Sequence, residues 1–207
     1  MKISAVAVGP IQSNCYIVWD EGSGDGIVID PGGDEEKIVR IVEENGVRVG
    51  MIVCTHAHFD HVGGVSELKK KTGARVAIHR RDLEIFMHAR HQGMLWGFAV
   101  EQPATPDLFL DEGDEIAVGG LRFAVLWTPG HSPGGICLFG EGVLFTGDTV
   151  FAGSVGRTDL PGGSADDLKK SFSRIISLPA ETGILPGHGP GSTVGEEKET
   201  NFFVYEL

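Results

Sequence analysis

Four ionisable side chains are crowded into six consecutive positions of the sequence. His56, His58, Asp60 and His61 follow residues 49–53, an apolar run that predicts a buried strand. Imidazole and carboxylate groups can bind metal ions, exchange protons or activate water. Their crowding where a buried strand ends therefore indicates a chemical site rather than a solvated surface.

Three more side chains of the same kinds stand where other predicted strands end. His131, Asp148 and His188 each follow an apolar run, and each lies in a glycine-rich turn. Asp30 also ends a predicted strand, although turn chemistry alone could explain its Asp-Pro-Gly setting. A rigid sheet holds side chains firmly at its strand ends, and glycine lets backbones approach closely there. We therefore expect these residues to converge on the first cluster.

The number and kinds of these side chains predict a centre with two divalent metal ions. Neutral imidazole nitrogen and carboxylate oxygen both bind zinc at roughly 2.0–2.2 Å, and one zinc ion takes about four ligands. Seven candidates fit two ions that share a carboxylate and a hydroxide. Zinc is the favoured metal, but iron and manganese accept the same ligands. The predicted ligands are His56, His58 and His131 for one metal, Asp60, His61 and His188 for the other, and Asp148 as the bridge.

Some of the same residue types have simpler explanations. Asp60, taken alone, is better explained as a helix cap. His79, His88 and His91 do not end predicted strands, so we expect them to be structural or exposed. Asp30 is predicted to orient a ligand imidazole, because its strand end should lie nearby.

The predicted elements divide the chain into two similar halves of strands and helices. This pattern implies two sheets packed face to face with helices outside, in a single domain covering residues 1–207. Residues 26–30 and 142–148 resemble counterparts in a weak duplication. Residues 82–93 are predicted as one helix, whereas residues 92–106 are hard to assign. The other predicted strands are residues 4–8, 15–19, 74–78, 115–118, 121–127, 136–139 and 182–185, and the other helices are residues 35–45 and 62–72, with further helix starts at Ser164 and Thr193.

The composition predicts a cytoplasmic globular protein with an acidic surface. Seventeen basic and twenty-nine acidic residues give a formal net charge of −12, which repels phosphate backbones, so no nucleic-acid partner is expected. No apolar run has membrane-spanning length and no signal peptide is evident, so no membrane partner is expected. Three widely separated cysteines in apolar stretches predict buried, reduced thiols. They are Cys15, Cys54 and Cys137.

Four motifs together resemble the metallo-β-lactamase superfamily. They are THAHFDH at residues 55–61, TPGHS at 128–132, GDT at 147–149 and PGHG at 186–189. Residues 147–159 and the spacing to the last histidine are most similar to hydroxyacylglutathione hydrolases, the type II glyoxalases, in their short form. This resemblance implies an α/β protein of the αββα sandwich type, with two metals at one edge. It also implies the ligand assignment given above.

The resemblance further implies a substrate contact at Arg157. In the longer glyoxalases a basic residue nine positions after the bridging aspartate contacts a carboxylate of glutathione. An ion pair with Asp159 is an equal alternative for Arg157. Two features depart from the family: residues 189–190 are Gly-Pro where an aromatic is expected, and residues 200–203 differ from the Asn-Pro-Phe of the short group. The C-terminal helical region that binds glutathione in the longer enzymes has no counterpart here.

The predicted centre and the resemblance imply hydrolysis of a thioester such as S-lactoylglutathione. A metal-bridging hydroxide would attack the carbonyl, with Asp60 and Asp148 as the catalytic carboxylates. One alternative is a one-iron persulfide dioxygenase that uses only His56, His131 and Asp148. Others are a lactonase, a β-lactamase, or a metal-binding module without catalysis. The expected partner is a small thioester, and the protein would be a monomer or a small homo-oligomer.

Overall fold

The first half of the chain forms a six-stranded sheet. The computed structural model describes all residues 1–207. The strands of this sheet, in both chain and spatial order, are β1 (Lys2–Val8), β2 (Ser13–Trp19), β3 (Asp25–Ile29), β4 (Arg48–Val53), β5 (Arg75–His79) and β6 (Leu108–Leu110). The first three strands pair antiparallel, and β3 to β6 pair parallel. Consequently β3, β4 and β5 end at the same edge of the sheet.

The second half forms another six-stranded sheet and a small hairpin. Its strands are β7 (Glu115–Val118), β8 (Leu121–Trp127), β9 (Ile136–Gly140), β10 (Val143–Gly147), the hairpin strands β11 (Val150–Phe151) and β12 (Ser154–Val155), β13 (Gly183–Pro186) and β14 (Ser192–Thr193). The spatial order is β14, β13, β10, β9, β8, β7, with only β10 and β13 parallel. Both β3 and β10 have one antiparallel and one parallel neighbour. These strands cover most of residues 26–30 and 142–148, the two segments predicted to be counterparts, so the counterparts pair in the same way.

Helices cover the outer faces of both sheets. Those on the first sheet are α1 (Glu35–Glu44), α2 (Phe59–Val62), α3 (Val65–Thr72), α4 (Leu83–Met87) and α5 (Ala89–Leu95), and those on the second are α6 (Ala165–Ile175) and α7 (Val194–Thr200). None of these helices combines the length and apolar character required to cross a membrane.

Three apolar cores hold the four layers together. Ile27 and Ile29 point into the core between the sheets, whereas Val28 points into the core beneath the helices of the first half. This alternation follows from the two-residue period of a strand. A third core lies between the second sheet and α6 and α7. The predicted αββα fold is thus confirmed. The three free cysteines are buried in these cores, as predicted: Cys15, Cys54 and Cys137.

The single helix predicted for residues 82–93 is wrong. The segment is divided into a 3₁₀ turn at Arg80–Asp82 followed by α4 and α5. The break falls at His88, which has φ −110° and ψ 10°, and its Nδ1 lies 2.8 Å from the carbonyl oxygen of Glu84. A side chain that bonds to the backbone in this way competes with the regular helical pattern.

Both predicted helix starts in the second half are confirmed. The Ser164 side chain accepts a hydrogen bond from the backbone N–H of Asp167 at the start of α6. Thr193 and Glu196 form a reciprocal capping box at the start of α7. Each cap satisfies N–H groups that have no partner within the helix.

Candidate metal centre

The two sheets meet at the edge where β3, β4, β10 and β13 end. The N–H of Ile136 donates to the carbonyl of Thr55 across 2.8 Å, and the N–H of Asn14 donates to that of Gly187 across 2.7 Å. These bonds tie the loop after β4 to the second sheet, and the loop after β13 to the first. Loops leaving these strands and β8 bring the seven predicted ligands together in one cluster.

The first group within the cluster consists of three imidazoles. The ligand nitrogens of His56, His58 and His131 all lie within 4.8 Å of one another, and all three residues are buried. Nδ1 of His58 lies 2.8 Å from Nε2 of His131. His131 Nδ1 donates to the carbonyl oxygen of Arg157 at 2.8 Å. Because a carbonyl can only accept, the proton of a neutral His131 must be on Nδ1, and its Nε2 lone pair then faces the cluster.

The second group combines one carboxylate with two imidazoles. Oδ2 of Asp60 lies 3.1 Å from Nε2 of His188 and 3.2 Å from Nε2 of His61. The two histidine nitrogens lie 3.2 Å from each other. His188 is the most exposed member of the cluster, with 28% of its side chain accessible.

Asp148 lies between the two groups. Its Oδ1 is 3.4 Å from Nε2 of His61, and its Oδ2 is 3.5 Å from Nε2 of His131 and 3.6 Å from Nε2 of His188. Oδ2 of this carboxylate therefore approaches both groups, and Oδ1 approaches the second group alone. This is the position required of a residue that bridges two ions.

Asp30 and Thr55 determine which nitrogens of two histidines face the cluster. Asp30 Oδ2 accepts from Thr55 Oγ1 at 2.6 Å and lies 3.1 Å from Nδ1 of His61. Since a carboxylate accepts, His61 carries a proton on Nδ1, which directs Nε2 inward. The Thr55 hydroxyl donates its only hydrogen to Asp30. It must therefore accept in its contact with Nδ1 of His56, which lies 3.1 Å away. The Nε2 atom of His56 also faces the cluster as a result.

Burial keeps two imidazoles of the first group, His56 and His58, neutral. It lowers the pKa of His56 well below its ordinary value, and the neighbouring His61 and His131 add to this effect. Burial also lowers the pKa of His58 to about 3, with a further contribution from His131. A neutral imidazole has a free lone pair, which is the form that binds a metal.

In the second group, in contrast, the carboxylates stabilise a positive charge on their neighbours. Burial acts against the ionised form of both residues, yet the pKa of Asp60 lies below its usual range because of His61 and His188. The pKa of His61 is raised by Asp60, Asp148 and Asp30, again against the effect of burial. The carboxylates at this end of the cluster therefore attract a cation.

The donor set suits divalent metal ions. Nε2 of His56 and Oδ1 of Asp148 are buried and have no hydrogen-bond partner. A buried polar atom without a partner is costly, and a coordinated ion would remove this cost at both positions. Histidine nitrogen and carboxylate oxygen are ligands that zinc, iron and manganese share.

Glycines allow the loops of the cluster to approach one another. A Cβ atom at Gly187 would overlap Oδ1 of Asp148 and the His61 ring. Gly147 has φ +48°, and a Cβ atom there would overlap the side chain of Thr55. The glycine-rich turns noted in the sequence are thus required by close packing next to the cluster.

A cavity of about 270 Å³ opens onto the cluster. Its rim carries the apolar side chains Ile11, Leu95 and Trp96, all exposed. Arg157 also lines this cavity, but its guanidinium is paired in bidentate fashion with Asp159 at 2.6 and 2.7 Å. The structure thus contains the alternative ion pair considered from the sequence.

The remaining sequence predictions have clear outcomes. The side chain of Asp60 makes no capping hydrogen bond in α2 and points into the cluster instead. His79 is buried and stacks on Trp127 with ring centres 5.7 Å apart, whereas His88 and His91 are exposed. These three histidines are therefore structural or exposed, as predicted.

Sequence reasoning missed Asp82, a buried residue that joins the ligand loops. Its Oδ2 accepts from the N–H of Ala57 at 3.0 Å and from Oγ of Ser132 at 2.8 Å, and its Oδ1 accepts from the N–H of Gly134. Burial raises the pKa of Asp82 although these donors oppose the shift. The sequence did contain an indication of this role. Asp82 follows β5, which is parallel to β4 and ends at the same edge of the sheet.

Sequence reasoning also missed Asn14, which fixes the loop around His188. Its Nδ2 donates to the carbonyl oxygens of Pro186 and Gly189, each at 2.9 Å. Tyr16 Oη donates to Pro186 as well, at 2.7 Å. No local pattern marks a partner more than 170 residues away.

Comparison with known proteins agrees with this geometry. A family model described as the metallo-beta-lactamase superfamily matches residues 8–188. Hydroxyacylglutathione hydrolase GloC from Haemophilus influenzae is 34% identical, over 99% of this chain and 98% of that protein.

Two solved structures resemble the chain along nearly its whole length. TTHA1623 in a di-iron-bound form is 40% identical with a TM-score of 0.90, covering 97% of this chain and 99% of that chain. BLEG-1 B3 metallo-beta-lactamase is 33% identical with a TM-score of 0.91, covering 98% and 99%. Together with the fold and the His/Asp cluster, these matches establish that the chain belongs to the metallo-beta-lactamase superfamily.

Proposed function

We propose that this protein is a two-metal hydrolase that cleaves thioesters of small hydroxy acids, such as S-lactoylglutathione. The observation that carries the proposal is the position of Asp148, whose two oxygens approach both histidine groups at 3.4–3.6 Å. The di-iron form of TTHA1623 supports a metal pair, and the name of the Haemophilus relative supports the thioester substrate.

In this proposal the seven predicted ligands hold the two ions. His56, His58 and His131 would hold one ion, and Asp60, His61 and His188 would hold the other. Asp148 would be a ligand that the two ions share. Bound divalent metals lower the pKa of water toward about 7 and polarise a carbonyl oxygen. Zinc, iron and manganese are all compatible with these ligands, and we favour zinc.

The protein's own contribution is to orient these ligands and to admit the substrate. Asp30, Thr55 and the Arg157 carbonyl fix the imidazole tautomers, so that lone pairs face the cluster. The thiol that leaves has an ordinary pKa of about 8.5 and can depart as thiolate, so no dedicated acid is required. This agrees with a cavity in which the ionisable groups are ligands or are already paired, as Arg157 is.

The position of the second group weighs against a one-metal dioxygenase. Such an enzyme would use His56, His131 and Asp148 and would leave Asp60 and His188 without a role. Here Asp60 and His188 lie 3.1 Å apart beside Asp148.

Hydrolysis of a β-lactam is the second candidate, favoured by the likeness to BLEG-1. The same activated water can attack a strained amide. The two candidates differ in the group that leaves, since a thiolate needs no proton whereas an amine does.

A substrate panel tests the proposal. Metal-replete protein is assayed with S-lactoylglutathione, a chromogenic cephalosporin, a lactone and glutathione persulfide, and its metal content is measured in parallel. We expect thioester hydrolysis by protein that holds two metals per chain. Asp148→Ala should lose both the hydrolysis and the bound metal. Turnover of the cephalosporin or lactone without thioester hydrolysis would refute the thioester assignment. Oxygen consumption with the persulfide and one iron per chain would support the dioxygenase.

A further inference from the structure

A second cavity continues from the active-site cavity across the surface of α4 and α5. It has a volume of about 350 Å³, against about 270 Å³ for the cavity at the cluster. Gln92, Leu95 and Pro161 line both cavities. The two together form one groove, with the metal ligands at the inner end. We call the second cavity the outer groove.

Gln92 stands at the junction with a free hydrogen-bond donor. Its Oε1 accepts from the N–H of Phe59 at 2.9 Å, between the ligand positions His58 and Asp60. Its Nε2 makes no hydrogen bond within the protein. The amide is therefore fixed at one end and can donate to a molecule that passes between the cavities.

Arg81 lines the outer groove and forms no ion pair, although the negative charge of Asp167, whose pKa is lowered mainly by Lys170 and to a smaller extent by Arg81, is near it. Its guanidinium carbon lies 4.6 Å from the centre of the Trp127 ring, and no carboxylate lies within ion-pair distance. Trp127 is held in turn, because its Nε1 donates to the carbonyl of Pro133 at 3.0 Å. Stacking on a fixed ring restricts the guanidinium before any ligand binds. Arg157 differs, because Asp159 already neutralises it.

The other polar side chains of the outer groove are two imidazoles and one carboxylate. His88 donates from Nδ1 to the carbonyl of Glu84, which leaves its Nε2 toward solvent, and His91 is exposed beside it. The carboxylate of Glu84 is the one negative group that lines this cavity. In a chain with a net charge of −12, Arg81 is the one arginine without an ion pair that lines either cavity.

We propose that the outer groove, through Arg81, binds an anionic group on the thiol arm of the substrate. This inference rests on the proposed thioesterase function. A hydroxyacyl group of three carbons is short, so the extended part of such a substrate is its thiol carrier. Carboxylate and phosphate both match a guanidinium, and Gln92 donates to the arm between the two ends.

Selectivity between charged and neutral carriers tests the proposal. The ratio of kcat/KM for S-lactoylglutathione over lactoyl-N-acetylcysteamine, which has no charge, is measured for each variant. Arg81→Gln should lower this ratio about tenfold, the effect of losing one charge-assisted hydrogen bond. Glu84→Gln should raise it about twofold, since a nearby negative charge is removed. The matched control is Arg90→Gln, because Arg90 is an exposed arginine of α5 that lines neither cavity.

Lactoyl-coenzyme A in the same assay separates recognition of phosphate from recognition of carboxylate.

Direct binding separates failure of this inference from failure of the proposed function. S-methylglutathione is titrated into metal-replete wild-type, Arg81→Gln and Arg90→Gln proteins by calorimetry. We expect about tenfold weaker binding for Arg81→Gln alone. If thioesters are not hydrolysed but this pattern holds, the subsite stands and the thioesterase assignment falls. A selectivity ratio and an affinity that are both unchanged in Arg81→Gln would overturn the subsite.

Discussion

At the scale of single residues, the cluster depends on side chains that are not themselves metal ligands. Asp30 and Thr55 set the tautomers of His56 and His61, and the Arg157 carbonyl sets that of His131. A neutral imidazole with its proton on the wrong nitrogen would direct an N–H at the ion. We therefore expect metal binding at the cluster to depend on the hydrogen bonds that hold the predicted ligands.

Asp30→Asn should weaken metal binding at the second group. Asparagine has nearly the same shape and tolerates the positive φ of +51° at this position, but its Nδ2 cannot accept from His61. Loss of such a partner typically costs about 10–100-fold in metal affinity or activity. Elemental analysis after dialysis should give closer to one metal per chain than two. Asp25→Asn, at the half-buried start of the same strand, is the control. Two tightly held metals in Asp30→Asn would contradict the role given to this carboxylate.

Gly187→Ala should abolish hydrolysis, whereas Gly189→Ala should not. The new Cβ atom at residue 187 would displace Asp148 or His61, but at residue 189 it would meet nothing within 4 Å. Gly189 has φ +73°, so alanine there costs about 1 kcal/mol of stability. Thermal unfolding and turnover of both variants check the pair. Equal activity of the two would show that close packing at residue 187 is not required.

At the scale of elements, the ligand loops are tied together by residues from neighbouring strands and helices. Asp82, after β5, accepts hydrogen bonds from both the loop after β4 and the loop after β8. Asn14, on β2, holds the loop after β13. On the other side, Ser171 of α6 donates to the carbonyl of Pro129 at 2.7 Å. The loops thus have fixed positions although they have little regular structure.

Asp82→Asn should loosen two loops at once. Three donors point at this carboxylate, and an asparagine Nδ2 would face at least one of them. We expect a loss of about 1–3 kcal/mol in the free energy of unfolding and weaker metal retention, measured by urea denaturation and elemental analysis. Asp111→Asn, with a side chain 65% exposed, serves as the control. Wild-type stability and metal content in Asp82→Asn would exclude the connecting role.

At the scale of the whole molecule, the cluster exists only when the two sheets are packed together. The first half supplies His56, His58, Asp60 and His61, and the second half supplies the remaining three ligands. Bound metal would therefore link the halves across the core between the sheets. Because the unfolded chain has no such arrangement, metal binding must stabilise the folded state.

Chelation should destabilise the whole fold as well as remove activity. A bound ligand adds about 4 kcal/mol when its free concentration is about a thousandfold above its dissociation constant. We expect the melting temperature to fall in excess chelator and to recover with zinc, iron or manganese. Phe172→Ala, in the third core, should lower stability by about 3–5 kcal/mol and still show the chelator-dependent shift. A melting temperature unaffected by rigorous chelation would exclude a metal that links the halves.

The sequence alone determined the layered fold and the residues of the cluster. Apolar runs with a period of two or about 3.6 predict strands and helices because the pattern is local. His131, Asp148 and His188 could be found because each follows an apolar run in a glycine-rich turn. The strands β8, β10 and β13 run in the same direction, so their carboxyl ends lie at the same edge. The helix break at His88 could not, because its side chain competes with a backbone pattern that is otherwise regular.

Only the tertiary structure decided which side chains support the predicted ligands and where the cavity beside the cluster lies. Asp82 and Ser132 are 50 residues apart, and Asn14 and Pro186 are 172 residues apart, so no sequence period relates them. The pairing of Arg157 with Asp159 and the unpaired state of Arg81 likewise depend on folded distances. Electrostatic and hydrogen-bond partners act over a few ångströms. Only folding brings residues that are far apart in the sequence within this distance.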